Sequence, residues 1–194
     1  MLRHALLVLI TLAVAIGGGA ASVWYALGAQ QGVGAVTVGS WTAYPELGTP
    51  DANPYLRARI AREGLLALGR TEGIAFQARR DSDGVPLLRQ CRYAIEGVIP
   101  PSRIWTIHAA DPALSPIPAS ELLQGTINSR TALYRDGNAI ELSVGAAAAA
   151  GNWLATSGRG PMILVLSLYD TPMSGGGAVD AELPSIRRMG CDEG

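Results

Sequence analysis

The chain has 194 residues, with 15 basic side chains, all of them arginine, 16 acidic ones and a net charge of −1. Charges that nearly cancel leave no basic field to gather nucleic acid, which argues against a nucleic-acid partner. Beyond an apolar N-terminal stretch and its flank, roughly 160 residues remain, enough for one ordinary domain with a substantial core and cramped for two.

The run from Ala5 to Gly28 carries no charge and follows Arg3 directly. As a helix it rises about 36 Å at 1.5 Å per residue, against a hydrocarbon core of roughly 30 Å, so it reads as a single membrane span. No positive charge follows it until Arg57, so the positive-inside bias puts residues 1–4 in the cytoplasm and the bulk of the chain outside. Trp24 and Tyr25 stand at the far end, where amphipathic rings favour the headgroup layer. A cleaved secretory signal is the competing reading, with Ala5 to Ile16 as its apolar core and the small residues Gly17 to Ser22 as its cleavage region. The apolar stretch exceeds a signal core and resumes at Val23, which favours the anchor. Gly17, Gly18 and Gly19 permit close helix approach but form no GxxxG pair.

Residues 29–49 are polar and glycine-rich and read as a tether leading into a first strand at Val36 to Trp41. Asn53 before Pro54 is a helix-start signal, a capping side chain ahead of a proline at the first helical position, and Gly64 marks the stop. Arg57, Arg59 and Arg62 lie on this helix, and Arg59 and Glu63 are spaced for an ion pair; a solvated face is preferred over lipid contact.

From there to the end, residues 50–194 read as an antiparallel β domain after the short helix, because short alternating runs are separated by turn residues. Strands are predicted at Ile74 to Ala78, around Cys91, Tyr93 and Ile95, and at Arg103 to Ala109. Thr131 to Arg135 and Ala139 to Val144 flank Asp136-Gly137, a pair suited to a tight hairpin turn. Met162 to Tyr169 is almost continuously apolar, as a central strand covered on both faces should be, and Pro172 ends it. The pattern implies a sandwich or jelly roll.

Cys91 and Cys191 both fall on the exported side, where an oxidising compartment lets them pair, so a disulfide is expected, two separate thiols being the alternative. No metal is expected, since the single exported histidine, His108, is the only other soft ligand. No cofactor is expected either: Gly32, Gly34 and Gly39 do not form a dinucleotide fingerprint, and Gly175, Gly176 and Gly177 read as a loop. Asp81-Ser82-Asp83-Gly84 resembles a calcium loop only in its first half, because Arg79 and Gln90 occupy the first and last ligand positions, and it reads as a β-turn. His108 lacks the GxSxG elbow and orienting carboxylate of a triad and reads as a strand histidine.

Gly151-Asn152-Trp153-Leu154 is the most suggestive fragment, because an amide beside a large aromatic in a loop can hydrogen-bond and stack on a ligand. The competing reading has Trp153 entering the core while Asn152 satisfies loop backbone groups. Tyr169-Asp170, at the end of the central strand, is expected at the same mouth, so the candidate binding residues are Asn152, Trp153, Tyr169 and Asp170.

The chain resembles a bacterial envelope family, domain of unknown function 1214, over roughly Trp41 to Cys191. The resemblance rests on Asp51 with Pro54-Tyr55, Cys91-x-Tyr93-x-Ile95-x-Gly97, Arg103-x-Trp105-Thr106, Asp136-Gly137, Gly151-Asn152-Trp153-Leu154, Leu168-Tyr169-Asp170-Thr171-Pro172 and Pro184-x-Ile186 before Cys191, in that order. Ala155 stands where the family pattern has proline, which implies a looser loop. The resemblance implies a jelly-roll-like β-sandwich and, from larger relatives, a companion domain of unknown function 1254 as a separately encoded membrane partner. It supplies no catalytic residues.

The sequence thus predicts a single-pass inner-membrane protein whose periplasmic β-sandwich serves binding or assembly in the cell envelope. The second reading is a periplasmic hydrolase of carbohydrate or ester, using Asp170, Asp81 or Glu141 if one of them shares a cleft with Trp153.

Overall fold

In the computed structural model, which describes residues 2–28, 34–63, 68–69, 71–117, 125–175 and 182–191, the apolar N-terminal run is one helix, α1 (Leu2–Gly28). Its segment Arg3–Tyr25 is long and apolar enough to cross a membrane, and none of it is buried against the rest of the chain. Trp24 and Tyr25 project outward from its far end. The short helix α2 (Pro54–Glu63) starts as its capping signal predicts: the Asn53 side-chain oxygen accepts the N–H groups of Tyr55 and Leu56, each at 3.0 Å. The predicted stop at Gly64, the Arg59–Glu63 side-chain pair and Gly176-Gly177 lie outside the described residues and side chains.

The remaining elements are mainly β and form two sheets. Strands β1 (Val36–Val38), β2 (Trp41–Ala43), β3 (Gly73–Ala78), β5 (Ile104–Ala110), β6 (Thr126–Asn128) and β9 (Ile163–Tyr169) make a six-stranded sheet in the order β1-β2-β3-β9-β5-β6. Strands β4 (Cys91–Val98), β7 (Ala139–Gly145), β8 (Asn152–Ala155) and β10 (Ser185–Cys191) make a four-stranded sheet in the order β10-β4-β7-β8. Alternation along each strand sends one set of side chains inward. Phe76, Trp105, Ile107, Leu164, Leu166 and Leu168 from the first sheet meet Tyr93, Ile95, Leu142, Val144, Leu154 and Ile186 from the second in one buried cluster. As predicted, β9 is central, hydrogen-bonded to β3 on one side and β5 on the other.

Three ties join the sheets at one end. The buried Trp41 indole donates to the Pro184 carbonyl at 2.7 Å, and Ser82 exchanges two hydrogen bonds with Ile186, one through its N–H and one through its hydroxyl. Asp81, almost fully buried, accepts the N–H groups of Asp83 and Val85 and faces the Arg188 guanidinium at 3.2 Å. The Asp81–Gly84 segment is therefore the expected turn, with its first carboxylate committed to structure. Arg188 also stacks over Tyr93, 5.4 Å from the ring centroid. Burial raises the Tyr93 phenol above its ordinary pKa of 10.0. The disulfide is present: Cys91 and Cys191 are register partners in β4 and β10 and are bonded.

Four expectations are corrected. The strand predicted at Val36 to Trp41 is instead a hairpin, because Gly39 takes a positive φ of 57° and turns the chain between β1 and β2. The sheets are not wholly antiparallel, since β7 and β8 run parallel; the small residues Ala146 to Ala150 carry the chain back between them. Thr131 to Arg135 is not a strand but touches the sheet by a single bridge, Tyr134 to Ile140. Its backbone is taken elsewhere: Asn128 turns the chain at Thr131 and Ala132, and the Asn152 amide holds Leu133. The Asp136-Gly137 turn does supply positive φ, at Gly137 and Asn138, and Arg135 N–H closes it on the Ala139 carbonyl at 2.8 Å. The sequence pattern does not show strands β6, β8 and β10; β8 occupies the fragment read as a loop, although Asn152 does satisfy backbone groups there.

Candidate ligand-binding site

The outward face of the six-stranded sheet is not simply solvated. Register sets Ala75, Ser167 and Thr106 in one row across β3, β9 and β5, and Gln77, Val165 and His108 in the next. Val165 and Ser167 are nonetheless buried, so something covers this face. One wall is the chain after β2, with Tyr44, Pro45 and Leu47. The other is the loop after β5. There the Asp111 carboxylate accepts the N–H groups of Ala113 and Ser115, both at 2.9 Å, and Asp111 N–H donates to the Ser115 carbonyl at 2.8 Å. This closed turn places Leu114 at φ 64°, a conformation that costs a non-glycine residue about 1 kcal/mol, and packs it on Ala110, Ile163 and Val165.

Between these walls lies a cavity of about 540 Å³ with His108, Ser167 and Gln77 on its floor and Tyr169 and Gly73 at one end. That size, with apolar walls and a few placed polar groups, is typical of small-molecule sites. Burial holds His108 below the ordinary histidine pKa of 6.5, so the imidazole is neutral near neutral pH and offers one donor and one acceptor. No carboxylate lines this cavity among the described residues.

A second cavity of about 440 Å³ adjoins it toward β1. It is lined by Thr37, Thr42, Arg79, Arg80 and the Asp81–Gly84 turn, and it shares Tyr44 and Gln77 with the first. The Arg80 guanidinium donates to the Gly84 carbonyl at 2.7 Å, and that of Arg79 approaches the Gln77 side-chain oxygen at 3.4 Å.

Of the four candidate binding residues, Tyr169 lines the larger cavity and Asn152, Trp153 and Asp170 lie elsewhere. Asn152 and Trp153 belong to β8 in the opposite sheet. The Asn152 amide is consumed by the backbone: its oxygen accepts Leu133 N–H at 2.7 Å, and its nitrogen donates to the carbonyls of Leu133 at 2.8 Å and Glu141 at 2.9 Å. The part-buried Trp153 ring donates to the Gly145 carbonyl at 3.0 Å. Asp170 is exposed at φ 50°, with Arg103 a distant 3.9 Å ion-pair partner. Glu141 pairs with Arg135 and stands directly opposite Glu96, itself paired with Arg187 at 2.6 Å. The sequence places His108 on a strand, as observed in β5, and gives it neither a triad nor a metal set, but it does not show the cavity. The available signal was the unbroken apolar run of β9, whose outward half had to be covered by something.

A family model described as Protein of unknown function (DUF1214) matches residues 72–173, a span that includes β3, β5, β9 and the loop bearing Leu114. None of the curated proteins matches the chain. Among solved structures, the crystal structure of the VPA0106 protein from Vibrio parahaemolyticus is similar with a TM-score of 0.57 at 18% identity, over 72% of this chain and 36% of that one. The chain therefore spans about a third of the Vibrio protein's length, and the likeness is one of fold. An uncharacterized protein from Burkholderia cenocepacia gives a TM-score of 0.41 at 17% identity, over 75% of this chain and 46% of that one.

Proposed function

The chain belongs to the family Protein of unknown function (DUF1214), and from that footing we propose that it is a membrane-anchored envelope module whose sandwich-like β domain binds a small, largely apolar ligand on the outward face of its six-stranded sheet. The observation that carries this reading is the cavity of about 540 Å³ over His108, Ser167 and Gln77. Binding rather than hydrolysis is favoured because its lining lacks a carboxylate among the described residues; Asp81, in the adjoining smaller cavity, and Glu141, on the other sheet, are engaged in ion pairs. The jelly-roll arrangement is supported by the single core shared between two sheets. Anchoring through residues 5–28, with residues 1–4 cytoplasmic, 29–49 leading out and 50–194 periplasmic, is supported by the apolar helix and by the disulfide, which suits an oxidising compartment. A companion bearing domain of unknown function 1254 is part of the proposal by family resemblance alone.

The test uses the full chain in phosphatidylcholine nanodiscs and the neutral fluorescent probe N-phenyl-1-naphthylamine. The wild type should bind one equivalent beyond what Ala113→Trp binds in identical discs, since Ala113 is an exposed loop residue at the cavity wall and a tryptophan there fills the space. Equal uptake by both proteins overturns the reading. For the anchor, protein that washes from membranes in alkaline carbonate refutes the span, and repeated recovery of this chain alone from mild detergent refutes the companion.

A further inference from the structure

The floor of the larger cavity is a grid of side chains on the outward face of three strands. His108 pairs in register with Val165, and Thr106 with Ser167, so Ser167 is the diagonal neighbour of His108 on that face. Both line the cavity, and Ser167 is only 7% exposed. Neither side chain has a hydrogen-bond partner among the described residues. A buried polar group left in that state is costly, so an occupant that bonds to it is favoured over one that does not. Gln77, the third polar group of the floor, already has its side-chain oxygen facing Arg79 at 3.4 Å. No Asp, Glu, Lys or Arg lines this cavity among the described residues, so a charged occupant gives up its hydration without meeting a counter-charge.

Resting on the binding reading above, we infer that the occupant is an uncharged alcohol or phenol whose hydroxyl bridges the His108 imidazole and the Ser167 hydroxyl, with its apolar body between Leu47 and Leu114. A hydroxyl donates one hydrogen bond and accepts another. With a partner at about 2.8 Å on either side it spans up to roughly 5.5 Å, which suits two side chains reaching toward each other from diagonal positions about 7 to 8 Å apart. It also serves either tautomer of the imidazole, whereas an ether or ketone serves only the one that presents its N–H. Soluble phenols and hydroxyl-headed lipids share this chemistry and differ in source, water for one and the bilayer for the other.

The experiment follows displacement of N-phenyl-1-naphthylamine from the full chain in phosphatidylcholine nanodiscs, with uptake by Ala113→Trp discs subtracted as simple partition. The competitors are 4-pentylphenol, 4-pentylanisole and 4-pentylbenzoate near neutral pH, where the phenol is neutral and the benzoate charged. Each is compared at its free concentration over the Ala113→Trp discs. The phenol should bind about tenfold more tightly than the anisole, and at least about tenfold more tightly than the benzoate. Ser167→Ala removes one side of the bridge with little change of shape and should bring phenol and anisole within about twofold of each other; His108→Phe should do the same. 4-Dodecylphenol, confined to the disc, separates the sources: displacement at a lower total concentration than 4-pentylphenol supports the inference with a bilayer ligand, and displacement at a higher one supports it with an aqueous ligand. Three results overturn the hydroxyl bridge while the naphthylamine is still bound and the binding reading stands: equal displacement by phenol and anisole from the wild type, strongest displacement by the benzoate, or a phenol preference that survives both substitutions. Wild-type uptake of the naphthylamine no greater than that of Ala113→Trp overturns both.

Discussion

Asn152 shows how a residue that looks like a ligand contact can be a structural clasp. Its three hydrogen bonds fix Leu133 and the backbone of Glu141, so Asn152→Ala leaves part-buried backbone groups without this partner and should cost about 1 kcal/mol, read as a lowered urea midpoint at unchanged slope. Asn152→Asp should cost at least as much, because it turns a second acceptor toward two carbonyl oxygens. His108 makes a different prediction. Its folded pKa lies below the unfolded value of 6.5, so the unfolded chain takes up the proton first as pH falls. Stability should therefore decline as pH drops below about 6.5, and His108→Phe should flatten the difference in urea midpoint between pH 7 and pH 5. The sequence displayed both residues and their polar capacity. It did not display the partner of Asn152, because Leu133 lies on the segment Thr131 to Arg135, whose pattern reads as a hairpin strand that would bond to β7 instead.

At the scale of elements, close backbone approach and cross-linking decide what the strands tolerate. Gly73 opens β3 at φ 155°, and a Cβ there would overlap the Leu168 carbonyl oxygen on β9. Gly73→Ala should cost about 3 kcal/mol or more, measured by denaturation, since backbone rather than a flexible side chain must give way. The Cys91–Cys191 disulfide spans a sequence separation of 100, so Cys91→Ala/Cys191→Ala should lose at most about 4.7 kcal/mol by chain entropy, seen as a fall in the urea midpoint matched by the wild type under reductant. Elements with strong periodicity or one sharp local signal were legible: β9 by its apolar run, α2 by Asn53-Pro54, and β4 by the alternation of Cys91, Tyr93 and Ile95. Edge strands were not. β10 buries only Ile186 along its length and carries a register shift after Arg188, while β8 and β6 are too short to show a period.

For the molecule as a whole, the class and the shared core could be read in advance, because alternating faces must be buried against something. Which faces meet could not, since β3 pairs with β9 and β4 with β10 across most of the chain. The larger cavity depends on that long-range pairing, so only its parts, His108, Tyr169 and the outward half of β9, stood in the sequence. The same pairing sets the order of events when the polypeptide is made. A nascent chain emerging with its amino end first presents β3 with only β2 beside it and β4 with neither neighbour, long before β9, β7 and β10 exist, so both wait with sticky edges uncovered. Refolding from denaturant should accordingly be slow, in the range of milliseconds to seconds rather than microseconds, in stopped-flow tryptophan fluorescence. A general holding chaperone present during synthesis should raise the yield of native protein, because the danger to this fold falls in the interval before its later strands arrive.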